Sequence, residues 1–420
     1  MSEAPKHVTW PLLLNGIIRP YAWGSRTFLA GLQGRAVPAP TPEAELWLGV
    51  HPGAPATVNL SETDASATTT LTEVIAADPD ATLGPRIAER FSNQLPYLLK
   101  VLAAAQPLSL QAHPNAAQAQ AGFDADERAG IPLTASNRRY QDPRHKPELI
   151  VALTPFWALY GFRPLADTLA FLDALAVPAL APYESLLKRL PATEALRACF
   201  ESLLKAPLSH QTMLANEVAR GVTKRLATRE AAFRTECEWL RRLADLYPGD
   251  IGIAAALFMN VIRLEPMQAL YLPAGNLHAY LEGAGIEIMA SSDNVLRGGL
   301  TPKPIHVAEL LRILSFDELP PVPLLAGASS DGEFTYATTA DEFQLSRLTC
   351  APGTFIDRVP KGPEILLATE GSIDVTTPGG ARHLTSGGAA FISAALKTYR
   401  VGGRGTVFRV QVPSTEGHNR

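Results

Sequence analysis

The stretch LPYLLKVLAAAQPLSLQAHPN, residues 95–115, decides how this 420-residue chain is read. Its first half, with Leu98, Leu99, Val101 and Leu102, has the continuous apolar character of a buried strand, and Pro107 separates it from a second piece. There Ser109, Gln111 and His113 alternate. Positions i and i+2 of an extended strand point to one face, so an amide and an imidazole enter the same space. A polar face where core is expected marks a site-building strand. A Q-x-H triplet alone fits a hydrogen-bonded structural histidine equally well, so the decision rests on partners elsewhere.

Two segments supply them. In HKPELIVAL (145–153), His145, Lys146 and Glu148 abut a β-branched apolar run. Charges at the buried start of a strand are costly unless paired or metal-bound; the alternative is a surface strand whose edge is guarded by charge. In QALYLPAGNLHAYLEGAGIEIMASSDNVLRGGLTPK (268–303), His278 follows a Pro-Ala-Gly-Asn turn and Glu287 sits in an Ile-flanked strand. A loop with Asp293, Arg297 and Lys303 follows. Gln111, His113, Glu148 and His278 thus come from three strands as nitrogen and oxygen donors without sulfur. Such a set suits Zn²⁺ and equally Mn²⁺, Co²⁺ or Fe²⁺. Barrel-shaped β folds of the cupin type present metals in this way.

Length favours two or three domains of roughly 100–200 residues. With 37 basic and 41 acidic residues interspersed and a net charge of −4, no basic stripe for nucleic acid or anionic membrane is present. No apolar run approaches the ~20 residues of a membrane span. The start, MSEAPKHVTWPLLLNGII, lacks a secretory pattern, which gives a cytoplasmic expectation. Cys199, Cys237 and Cys350 are scattered, so neither disulfides nor a thiolate metal site is expected.

Along the chain, LLLNGII, YAWGS and ELWLGVHPGAPATV read as short strands and turns. Trp23 and Trp47 are core aromatics or pocket walls, and His51 is a loop residue. Residues 68–91 read as peripheral short helices, with Thr70 and Glu73 spaced as a capping box; residues 115–130 read as a helix capped by Asn115. Between 161 and 265, apolar residues at three- and four-residue spacing indicate a helical insertion. His306 starts a short helix and prolines 320–323 mark a linker. Beyond 326, alternating strands with corner glycines indicate a second jelly-roll unit, where Glu370 and His383 read as structural. The fold class is therefore mainly β with an α-helical insertion: a catalytic cupin domain from 1–160 with 266–325, a helical domain 161–265, and a cupin-like domain 326–420.

Taken in series, YAWGS, ELWLGVHP, LPYLLKVLAAAQPLSLQAHPN, HKPELIVAL and YLPAGNLHAYLEGAGIEIMASSDNVLRGGLTPK resemble the type I mannose-6-phosphate isomerases over roughly residues 10–310. The resemblance implies one zinc bound by Gln111, His113, Glu148 and His278, an active-site role for Arg297, and a sugar phosphate as substrate. It implies aldose–ketose isomerisation of mannose 6-phosphate and fructose 6-phosphate, linked to GDP-mannose supply, in a monomer or weak homo-oligomer.

That chemistry sets three tasks: a base for an acidified C–H, an electrophile for the enediolate, and a cationic subsite for phosphate. His145, Lys146 and Glu287 compete as base, with Glu287 and Asp293 otherwise orienting neighbours. Lys100, Ser109 and Lys303 are the expected phosphate contacts, and Tyr280 and Trp23 complete the substrate wall. An iron dioxygenase is the first rival, opposed by the fourth ligand Gln111. A catalytically silent sugar-phosphate binder on the same fold is the second.

Overall fold

The computed structural model of the protein describes residues 10–61, 66–229, 232–329 and 332–414. Residues 1–9, part of the segment read for a secretory signal, lie outside them. Two antiparallel sheets of 10 and 11 strands and a block of helices make up the architecture. Five strands of the first sheet carry the site: β1 (Tyr97–Ala104), β2 (Leu110–Ala112), β3 (Glu148–Ala152), β4 (His278–Ala290) and β5 (Leu296–Gly299).

β4 is the hub. Its first residue, His278, lies opposite Gln111 of β2 on one side and Tyr160 on the other. Nine residues on, Glu287 lies between Lys100 of β1 and Ile150 of β3. The strand changes partners around Gly283, where φ is +126° and an added Cβ would sit 2.7 Å from the Pro155 carbonyl oxygen, so the bend requires glycine.

All eight residues of β1 are buried, because both of its faces are covered. Leu99, Val101 and Ala103 join Ile286, Phe343, Ile365, Phe391 and Phe408 in a core shared by the two sheets. Leu98, Lys100 and Leu102 face the interior of the first sheet. The helical insertion, from Leu165–Leu175 to Arg234–Leu246, covers the outside of β2 and β4, burying Leu110, Ala112, Ala279 and Leu281 with Phe171, Leu196 and Phe200. With Leu110 and Ala112 committed to the helices, strand alternation turns Gln111 inward.

Some expectations are corrected. Met259–Leu264, within the stretch read as helical, is a strand paired with Phe156–Phe162; six apolar-rich residues are too few for periodicity to decide. The helices Leu71–Ala77, Pro79–Leu83 and Pro85–Arg90 are not peripheral. The first opens with the expected Thr70–Glu73 capping box, and Leu71, Val74, Ile75, Leu83 and Ile87 enter the shared core. Strands Leu12–Asn15, Thr57–Asn59 and Thr68–Thr70 extend the second sheet beyond Ala389–Ile392, so the start of the chain serves both sheets. The Asn115-capped helix forms as read, over Ala116–Arg128, and His306 is the N-cap of Val307–Ile313.

Candidate metal centre and substrate site

His113 follows β2, and Glu148 and His278 begin β3 and β4. Their candidate ligand atoms lie within 4.8 Å of one another, and all three residues are buried. The tautomers follow from their partners. His113 Nδ1 donates to the Asn294 carbonyl at 2.7 Å and His278 Nδ1 to the Asn276 carbonyl at 3.1 Å, since a carbonyl only accepts. Both Nε2 lone pairs therefore face Glu148 Oε2, at 3.3 and 3.5 Å. None of these three buried atoms has a hydrogen-bond partner. Lone pairs converging in a dry interior repel unless a cation stands among them. Burial pushes the His113 imidazole down to about 4, against the pull of Glu148, which keeps it in the neutral form a metal requires. Gln111 is half-buried and lies in register with His278.

The surrounding charges point the same way. Glu148 Oε1 accepts from Lys146 Nζ at 2.9 Å. Burial works to raise the Glu148 pKa, but Lys146 and His113 hold it well below the usual carboxylate range. Lys100 Nζ meets Glu287 at 3.0 Å and Glu45 at 3.5 Å, 5.3 Å from the Trp47 ring centre. Burial opposes the Lys100 charge, yet Glu287, Glu45 and Glu148 outweigh it and raise its pKa. Burial, Glu148 and Glu45 also outweigh Lys100 at Glu287, whose pKa is raised. Among the described residues, the buried carboxylates Glu45, Glu148 and Glu287 pair with two lysines, Lys100 and Lys146. An uncompensated buried charge costs several kcal/mol, so a divalent cation fits the surplus carboxylate as well as the orphaned lone pairs.

The register brings Arg297 to this centre, because β5 sets it directly opposite Gln111. Burial lowers the pKa of this half-buried guanidinium. Arg297 is also the main influence lowering the pKa of Lys303. Ser109 is half-buried two residues before Gln111. Tyr280, two residues after His278, is buried with its hydroxyl unpartnered, and its ring meets Phe156 edge-on at 5.2 Å. Trp23 packs on the same apolar cluster.

Two expected residues are placed differently. His145 points away from the cluster, its Nε2 2.7 Å from Glu342 in the second sheet's part of the chain, whereas Lys146 Nζ meets Glu148 at 2.9 Å. Lys100 is not a free cation awaiting phosphate; it is mid-strand and matched by two carboxylates. Asp293 bonds His51 at 2.9 Å, and the two help line a cavity of about 470 Å³. Gly53 N–H donates to His51 Nδ1, so His51 Nε2 carries the hydrogen given to Asp293.

Sequence reasoning missed Glu45 and His51. Glu45 and Trp47 alternate in ELWLG as site residues do, and that spacing was the available signal. His51 opens the turn 51–54 and carried none.

Such a fold and donor set define a cupin-type metalloenzyme. Comparison with known proteins narrows this. The family described as "Phosphomannose isomerase type I, catalytic domain" matches residues 12–165. Mannose-6-phosphate isomerase of Escherichia coli K12 is 37% identical over 402 residues, covering 95% of this chain and 98% of that protein. A crystal structure of zinc-bound mannose 6-phosphate isomerase superposes with a TM-score of 0.86 at 35% identity, covering 96% of this chain and 100% of the other. A phosphomannose isomerase variant from Salmonella typhimurium does so with the same TM-score and coverage at 34% identity. The chain belongs to the type I phosphomannose isomerase family.

Proposed function

We propose that this chain interconverts D-mannose 6-phosphate and D-fructose 6-phosphate as a zinc-dependent aldose–ketose isomerase, supplying hexose phosphate toward GDP-mannose in the cytoplasm. The observation that carries the reading is the convergence of His113 Nε2, His278 Nε2 and Glu148 Oε2, each buried and unpartnered. These residues with Gln111 would hold zinc, which when bound supplies a Lewis acid toward the sugar's carbonyl and hydroxyl oxygens. The three free cysteines accord with a reducing compartment. In this reading the ten-stranded sheet forms the catalytic unit, the helices between Leu165 and Leu246 the helical unit, and the eleven-stranded sheet, which takes strands from both ends of the described chain, the second cupin-like unit.

The chain's own residues divide the work. A proton moves between C2 and C1 of the open-chain sugar through a cis-enediol, and no electron acceptor is needed. Lys146, whose Nζ reaches the cluster, moves that proton, and Glu287 with its raised pKa is the neighbouring carboxyl that exchanges it. His145 drops out. Arg297, flanking Gln111, stabilises negative charge developing on the enediol oxygens with its planar donors. Lys303 and Ser109 take the phosphate, with Arg297 adding to the field. Lys100 stays within the carboxylate network, and Asp293 with His51 stands at the adjoining cavity.

The deciding experiment is metal analysis paired with NMR of mannose 6-phosphate in D₂O. One zinc per chain, with fructose 6-phosphate formed, lost on chelation and regained on adding zinc, supports the reading. Bound zinc without interconversion or deuterium uptake would leave a binding role.

A further inference from the structure

The turn between the last long helix of the helical insertion and the strand that returns to the sheet meets segments on both sides of the proposed phosphate contacts. Tyr247 donates its hydroxyl hydrogen to the Pro107 carbonyl at 2.9 Å, two residues before Ser109. Three residues on, Asp250 Oδ1 accepts from the Gly252 and Leu300 amides at 2.7 and 2.8 Å, and Oδ2 accepts from the Thr301 amide at 3.2 Å. Thr301 Oγ1 in turn accepts from the Lys303 amide at 3.1 Å. One short turn therefore holds both segments that carry the proposed phosphate contacts Ser109 and Lys303.

The turn it grips is unusual. Buried Leu300 has φ +54°, a left-handed conformation that non-glycine residues keep only when surroundings impose it. Just before it, Gly299 has φ +141°, and a Cβ there would lie 2.6 Å from Gly252 Cα. A Cβ on Gly252 would lie 2.7 Å from the Leu300 amide nitrogen. The two backbones touch, each through a glycine, and the Asp250 carboxylate joins them. A β-bulge between Arg297 and Gly299 ends β5 at this point and sets the direction in which the chain leaves toward Lys303.

The geometry points to Asp250 as a positioning residue for substrate phosphate, acting through the 299–303 turn on Lys303, with Tyr247 bracing the Ser109 side. The inference rests on the phosphate assignment made above, and it gives the helical insertion a part in substrate recognition. Asp250 touches no reacting atom, so its loss acts on binding of the phosphorylated end and not on the metal or proton transfer.

The test compares D250N, K303A and the double variant, using KM for mannose 6-phosphate, the inhibition constant of inorganic phosphate, kcat and zinc content. Asn keeps an acceptor oxygen for the Gly252 and Leu300 amides but puts an NH₂ against the Thr301 amide. Expected for D250N is a rise of about tenfold in KM and in the phosphate inhibition constant, within the ~10²-fold that a 1 Å misplacement costs. Zinc content should be full and kcat within about twofold, the pattern of lost uniform binding. In the K303A background D250N should add little, because the group it positions is gone. Unchanged phosphate affinity in D250N, or an equal loss with and without Lys303, overturns the inference. If K303A itself leaves phosphate affinity unchanged, the phosphate assignment fails instead, and Asp250 loses the role with it. Y247F, which loses one hydroxyl, should raise KM several-fold by the same measure; with D250N misfolded, unchanged affinity in Y247F counts against the brace.

Discussion

Lys100 and Glu287 sit directly opposite each other on neighbouring strands, and their side chains meet at 3.0 Å in the buried interior. Removing one partner of a buried pair leaves the other unmatched, but here Glu45 remains beside Lys100. Glu287→Gln should therefore fold, with a stability loss of about 1–3 kcal/mol. It should keep its zinc and lose on the order of 10²-fold in kcat, the usual contribution of a proton-transfer partner. Denaturant titration, metal analysis and steady-state kinetics check the three parts, and a kcat near the parent value would remove Glu287 from the reaction.

Metal removal should be visible without any turnover. His113 Nε2, His278 Nε2 and Glu148 Oε2 converge without hydrogen-bond partners, so the folded chain gains whatever zinc binding provides. Free zinc at 100 to 1,000 times its Kd adds about 3–4 kcal/mol. Chelation should lower Tm measurably and one equivalent of zinc should restore it. His278→Ala should show the low Tm with or without zinc; a Tm indifferent to chelation in the parent would count against the centre.

How much of this was legible in the sequence depended on distance along the chain. Gln111 and His113 reveal a shared face by two-residue spacing, and Glu148 and His278 by standing at the polar start of apolar strands; those signals are local. Pairing is not. Nothing in ELWLG tells that Glu45 will meet Lys100, because β1 stands between that strand and β4 only after the register is set. Leu12–Asn15 finds its neighbour in Ala389–Ile392, near the far end of the chain. His145 departs from its expected place for a different reason. Its type and position suit a base, but its partner is Glu342, far along the chain, while Lys146 turns to Glu148. Asp250 went unread because its partners are backbone amides of a distant turn.

Arg297 tests geometry against charge. β5 places it beside Gln111, half-buried, and burial lowers its pKa although arginine remains charged. Lysine at this position keeps the charge but loses the planar fork. Arg297→Lys should hold full zinc and fall on the order of 10²-fold in kcat, as removal of a transition-state donor does. Activity within a few-fold of the parent would mean that a point charge suffices there and that two-point contact plays no part.

His145 gives a prediction of the opposite kind, because its variant should remain active. Its Nε2 lies 2.7 Å from Glu342, joining the start of β3 to the part of the chain that forms the second sheet. The Glu342 hydrogen bond raises the His145 pKa against the effect of burial, with the Glu342 charge and Asp341 adding to the rise. A histidine whose folded pKa lies above its unfolded value of about 6.5 contributes fully below that pH and loses its contribution as pH rises through the folded value. The parent should thus be more stable than His145→Asn in mild acid, with the difference shrinking steadily as the buffer becomes alkaline. Denaturant titrations of both proteins across that range measure it. Zinc content and kcat of the variant should stay within about twofold of the parent, as expected of a residue outside the transition-state contacts. A hundredfold loss of kcat with normal zinc would instead return His145 to the list of proton-transfer groups, and would require its side chain to leave Glu342 and turn inward when substrate binds.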